Sequence, residues 1–193
     1  MNHATRCESC GKEAASHDIV HFGTQGKHEI LCGGCFNRKA AAMMGVDYEH
    51  ADFHPITVTD CLGEPHEFHF RSHLVATGLV IDAFELEKGV PSGHKFSVLG
   101  DPDEEPLELF RRLYGRVRRA LSVEHLERTA EGWRIGKADS VTGHITWDDE
   151  TDGRLPGLVI DGESIRWEEL GRMLTGYEGF HFRLEIHDRT EEH

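Results

Sequence analysis

The sequence predicts an α+β fold, with a small cysteine-stapled module followed by an antiparallel-sheet domain with two main helices. Three observations predict it. Four of the five cysteines form two Cys-x-x-Cys pairs within the first 35 residues, and period-two alternation of β-branched and aromatic residues sets in at Ile56. A stretch opening at Pro106 then repeats apolar residues at three- and four-residue steps. Strands in groups with helices between them belong to an α+β domain rather than a regular βαβ array. With 193 residues the chain suffices for a small module, residues 1–46, and one domain with its own core, residues 47–193.

Cys7 and Cys10 precede Cys32 and Cys35 by a spacer of 21 residues. Two thiolates two residues apart bite one tetrahedral ion, and two such pairs complete a closed shell with no position left for substrate. The spacing predicts a structural zinc with Cys7, Cys10, Cys32 and Cys35 as ligands. The opening "MNHATRCESC" lacks a basic region followed by an apolar run, so a secretory signal is not expected and a cytoplasmic location is. In that reducing compartment such cysteines favour metal over disulfides. Gly11, Gly33 and Gly34 are expected to let backbone N–H groups fold over the sulfurs.

Between the pairs, "HDIVHFGTQGKHEILC" reads as a hairpin turning at Gly23 to Gly26. After Cys35, "FNRKAAAMM" is rich in helix formers and stops at Gly45, which predicts two to three helical turns opened by the second pair. A knuckle, a hairpin and a second pair at a helix N-terminus resemble the treble-clef class of zinc finger over residues 3–45. The resemblance implies the same four ligands, and it implies no single function because the class serves enzymes, ribosomal proteins, DNA binders and adaptors. His17, His21 and His28 are expected on the hairpin surface, since four thiolates already fill the shell.

Residues 45–55 read as a linker. From Ile56, "ITVTDC", a turn at "LGEP" and the run beginning "HEFHFRSH" predict a hairpin and a third strand, and residues 94–100 a fourth. The helix is expected from Pro106 to Glu127, with Leu107, Phe110, Tyr114, Val117 and Leu121 facing the sheet. A hairpin is expected to pair Trp133 and Ile135 with Ile145 and Trp147. "GLVIDG" reads as a short strand, and Ser164 as the N-cap of a helix running to Thr175. "FHFRLEIHD" alternates as a last strand with Phe180, Phe182, Leu184 and Ile186 inward.

Three constellations could carry chemistry. His66, Glu67, His69 and His73 lie on one strand, where His69 and His73 share a face about 13 Å apart and His66 points away, so they read as a half-exposed polar face. Asp148, Glu150, Asp152 and Gly153 match the first half of a calcium loop, but its twelfth position is Val159, which leaves an acidic turn. Arg112, Arg116 and Arg119, among five arginines of one helix, share a face that suits a phosphate or an acidic partner, or a solvated surface paired with neighbouring carboxylates. Cys61 reads as a small buried residue. There is no Gly-rich phosphate loop, Gly-x-Ser-x-Gly elbow or placed Ser-His-Asp triad, and a missing motif does not exclude an enzyme.

The formal net charge of −14 divides into +1 for residues 1–45 and −15 for the rest. That sign disfavours broad binding to phosphate backbones, and no apolar run has the length of a membrane span. "LCGGCFNRK", "LPGLVIDGESIRWEELGRML" and "YEGFHFRLEI" together are similar to bacterial proteins of unassigned function, a resemblance that implies no activity. The expectation is a zinc-binding cytoplasmic protein that acts as a macromolecular interaction module, with another protein as partner. The alternatives are a metal-dependent or acid/base enzyme using the histidine-rich sheet face, and nucleic-acid binding through the finger, where Arg38 and Lys39 sit.

Overall fold

The computed structural model describes residues 4–24, 27–188 and 190 and has a mixed α+β fold. At the N-terminus, β1 (Thr5–Arg6) pairs with β2 (Glu13–Ala14), and β3 (Ile19–Thr24) with β4 (Lys27–Cys32), each antiparallel. Helix α1 (Gly33–Met44) begins where β4 stops. It ends at Gly45, whose φ of 69° is the left-handed C-cap conformation that glycine adopts without a Cβ penalty.

A four-stranded antiparallel meander follows: β5 (Ile56–Thr59), β6 (Pro65–Val75), β7 (Gly78–Glu87) and β8 (Val90–Gly100), in that order. Its core includes Phe68, Leu79, Ile81 and Val98, all fully buried. Helix α2 (Pro106–Ala120) packs Leu109, Leu113 and Val117 into that core. Each contributes about 1.5–3 kcal/mol of burial. Of the expected stripe, Val117 and Leu121 are buried and Phe110 stacks on Phe53, whereas Leu107 and Tyr114 are exposed. The helix also stops seven residues short of Glu127. Leu126 is instead drawn into a second core as the first residue of β9.

Helix α1 and the sheet are joined by Ala40 and Ala41, which pack in the main core, and by one buried polar side chain. Strand β5 covers β6 only as far as Phe68, leaving backbone groups farther along that edge without a strand partner. Asn37 of α1, fully buried, fills this gap: its amide nitrogen donates to the Ser72 carbonyl (2.9 Å), and its oxygen accepts the Leu74 N–H (2.8 Å). A side-chain amide thus substitutes for the missing strand, since unpaired buried backbone groups are costly. Residues 46–55 form no regular element, yet they are not a free linker. Val46, Tyr48 and Phe53 pack on the main core, and His50 lies 3.0 Å from the Asn37 amide nitrogen.

The C-terminal part has a separate small core of Leu126, Leu158, Ile160, Ile165 and Met173. Here β9 (Leu126–Thr129) pairs with β10 (Gly132–Ile135), while β11 (His144–Trp147) pairs with β12 (Pro156–Ile160), so the expected hairpin between the Trp133 and Trp147 arms does not form. β12 turns at Asp161 and Gly162, both with positive φ, into β13 (Glu163–Arg166). Ser164 is therefore a strand residue. The last helix, α3 (Trp167–Leu174), is capped at Arg166, whose N–H donates to the Glu169 carboxylate (3.0 Å).

The last strand expectation fails. Residues 180–188 belong to no sheet, and Phe180, Phe182, Leu184 and Ile186 are 73, 88, 69 and 70% exposed. Alternation specifies which face a strand would present, but a strand exists only where a neighbour supplies its hydrogen bonds. None of the described strands does so here.

Candidate metal centres

The first centre is assembled by local chain turns. Between β1 and β2, the Cys7 N–H donates to the Lys12 carbonyl and the Gly11 N–H to the Cys7 carbonyl, both at 2.9 Å, folding the first pair into a knuckle. Glu8 pins this knuckle to the hairpin: its N–H donates to the Ile30 carbonyl (2.8 Å), and its carboxylate accepts the Ile30 N–H (2.9 Å). Cys32 closes β4 as the N-cap residue of α1, and Cys35 lies in the first helical turn.

The four sulfurs all lie within 4.8 Å of one another, and none is in a disulfide. Cys10 Sγ and Cys32 Sγ are 3.9 Å apart. Four sulfurs at about 2.3 Å from one ion stand about 3.8 Å apart at the edges of a tetrahedron. Cys7 and Cys35 are buried. The cluster can hold a metal ion.

Its electrostatics are unbalanced without a cation. Burial pushes the Cys7 thiol up, but N–H donors from Cys32, Cys10 and Ser9 outweigh it and bring the thiol down to about 6. Burial pushes Cys32 up to about 12, and burial likewise raises Cys35. Burial thus opposes ionisation of Cys32 and Cys35. A divalent cation at the centre would offset that cost by stabilising the thiolate form.

Backbone N–H groups of Ser9, Cys10 and Cys32 reach the Cys7 sulfur, and Gly33 and Gly34 have a further role. The Gly33 N–H donates to the Asp18 carboxylate (3.3 Å), and a Cβ at Gly33 would stand 2.4 Å from that carboxylate. A Cβ at Gly34 would stand 3.1 Å from the His50 ring. These two glycines therefore admit neighbouring side chains. Of the finger histidines, His21 and His28 are exposed, whereas His17 packs edge-on against Phe84 and His69 of the main sheet.

The second centre is absent from the sequence reading. His66 on β6, Glu85 on β7 and His94 on β8 converge, with ligand atoms all within 4.8 Å. His66 Nδ1 lies 2.8 Å from Glu85 Oε1, and His94 Nδ1 lies 2.9 Å from Glu85 Oε2. Asp60 Oδ2 lies 3.4 Å from His66 Nε2. Burial opposes ionisation of Glu85, but hydrogen bonds from the His94 ring, the His94 N–H and the His66 ring outweigh it and hold the carboxyl down at about 2. Sequence spacing points to His66 alone of this trio, because Glu85 and His94 are 19 and 28 residues farther along the chain.

The other candidates separate. His69 bonds to Glu67 (2.9 Å), while His73 packs edge-on against Phe36 of α1. Asp148 accepts the Glu150 N–H on its side chain (2.9 Å) and the Gly153 N–H on its carbonyl (3.1 Å), closing an acidic turn. Arg112 donates to Glu104 (3.0 Å) and to the Leu99 carbonyl (3.2 Å), and Arg116 to the Ser97 carbonyl, so both bind the outer edge of β8. Cys61 is exposed rather than buried. No helix among the described residues is long and apolar enough to cross a membrane.

Three family models match successive parts of the chain, each described as a domain of unknown function: DUF7685 over residues 6–47, DUF7686 over residues 49–122 and DUF7713 over residues 125–191. The first of these matched segments contains all four clustered cysteines. No curated protein and no solved structure matches the chain.

Proposed function

We propose that this is a zinc-stabilised protein of the cytoplasm that acts by binding another protein. In this reading Cys7, Cys10, Cys32 and Cys35 hold Zn2+ in a treble-clef-like finger, residues 1–46, and residues 47–193 form an acidic α+β domain. A shell of four thiolates has no open coordination position, so its contribution is folding energy rather than chemistry. The observation that carries the binding half is the segment Phe180 to Ile186, extended in pattern, outside every sheet and exposed on its apolar residues. Such a segment suits the open sheet edge of a partner, with main-chain bonds giving affinity and alternate apolar side chains giving specificity. The net charge of −14 favours a protein over a nucleic acid.

The experiment is capture with the full chain, identification of the bound protein, and titration of that purified partner against the wild type and a Phe180→Ser, Phe182→Ser, Leu184→Ser variant. Binding by the wild type that the variant loses supports the proposal. Equal binding by both removes the segment from it, and nucleic-acid binding that falls steeply with salt replaces the protein partner.

A further inference from the structure

We propose that His66, Glu85 and His94 bind a second divalent transition-metal ion, independently of the cysteine cluster, with Asp60 orienting His66. Two imidazole nitrogens and the Glu85 carboxylate form a borderline donor set, suited to Zn2+, Co2+ or Fe2+ rather than to Mg2+ or Ca2+. Two ligands about 2.0–2.1 Å from one ion at right angles to each other stand about 2.9 Å apart. The separations of His66 Nδ1 from Glu85 Oε1 (2.8 Å) and of His94 Nδ1 from Glu85 Oε2 (2.9 Å) have that size, so each carboxylate oxygen stands beside one imidazole nitrogen.

The backbone is shaped around this cluster. The β7–β8 ladder pairs Phe84 with Lys95 but Glu85 with Ser92, so Gly93 and His94 form a bulge. Bulges re-aim side chains and free ladder N–H groups. Here the freed His94 N–H donates to Glu85 Oε2 (2.7 Å), and the ring is brought onto the same oxygen. Gly93 has a φ of 59°, and a Cβ there would stand 2.4 Å from Glu85 Oε2. The turn of the C-terminal sheet closes over the site: a Cβ on Gly162 would stand 2.7 Å from His94 Nδ1.

The surroundings have the form expected around a metal ligand set. Asp60 is itself fixed by the N–H groups of Leu62 (2.9 Å) and Glu64 (2.8 Å), which leaves its other oxygen to hold His66 by Nε2. A carboxylate on the far nitrogen of a ligating histidine sets its orientation and raises its basicity. Phe68 and Phe96 wall the His94 side. Three protein ligands leave at least one position for water. The centre is thus of the open type that activates water or polarises an oxygen, unlike the closed thiolate shell.

The test uses the full chain, stripped of metal and dialysed against Co2+, with cobalt per chain measured by elemental analysis. The wild type and a His69→Gln control are expected to hold two ions. Glu85→Gln and His94→Gln are expected to hold one, keeping the intense thiolate-to-cobalt band and losing only the weak visible bands of the nitrogen–oxygen site. Amide protection of β7 and β8 equal to that of the wild type reports that the sheet of each variant is folded. In the wild type, the ring protons of His66 and His94 should broaden in the NMR spectrum as the second equivalent binds. One ion per chain in the wild type, no broadening of those rings, or two ions retained in both variants overturns the proposal.

Discussion

The two centres differ in how the chain brings their ligands together. The cysteine cluster is built within 29 residues by a knuckle, a hairpin and a helix start, each with its own local signal. The His66, Glu85 and His94 cluster takes one residue from each of three strands and depends on a bulge. A ligand set whose geometry is local appears as a spacing. One whose geometry is tertiary appears only after strand register is known, and a bulge shifts that register.

The largest expected effect sharpens the local side of this comparison. Cys32→Ser removes one of four thiolates, and metal binding in such modules carries about 10–16 kcal/mol of apparent free energy. If the cluster holds zinc as proposed, the variant loses bound metal and the cooperative unfolding of β3, β4 and α1, measured by elemental analysis and amide hydrogen exchange. Retention of both would reassign the ligand set.

Next comes the join between finger and sheet. Asn37→Ala leaves the Ser72 carbonyl and the Leu74 N–H unpaired in a buried position. Each unsatisfied group costs about 1–3 kcal/mol. Denaturant midpoints should fall accordingly, and a loss under about 1 kcal/mol would show that the amide does not substitute for a strand there.

A smaller effect probes the tertiary centre. Gly93→Ala places a Cβ at positive φ and against Glu85, with about 1–2 kcal/mol of backbone strain. Its stability loss should be accompanied by weaker Co2+ binding at the histidine site and unchanged binding at the thiolates; equal loss at both would mean that the bulge does not act locally. The smallest effect belongs to the exposed segment. Phe182→Ser removes little buried area, so stability should change by less than about 0.5 kcal/mol in thermal unfolding. A larger loss would mean that the segment is covered in the free protein.

Elements with both a pattern and a local stop signal were legible in the sequence. The α1 helix ends at Gly45 as its composition indicates, and strands β5 to β8 follow their alternation. Where the pattern continued beyond its support, the reading failed. Helix α2 stops at Ala120 because Leu126 finds a better burial in the second core, with its N–H and that of His125 held by Asp161 (2.8 and 2.7 Å). Asp161 and Gly162 form a turn that made Ser164 a strand residue, a signal present in the sequence as Asp-Gly between two apolar runs. Phe180 to Ile186 has the alternation of a strand and no partner for it. Periodicity describes a face, and only the rest of the molecule supplies what covers it.

The most direct test of the central claim is amide hydrogen exchange of the full chain before and after zinc is stripped with a chelator, with metal content measured on the same samples. Four thiolates that hold the N-terminal part together predict that β3, β4 and α1 lose protection on stripping while β7 and β8 keep theirs. Protection of β3, β4 and α1 unchanged in metal-free protein would contradict the account.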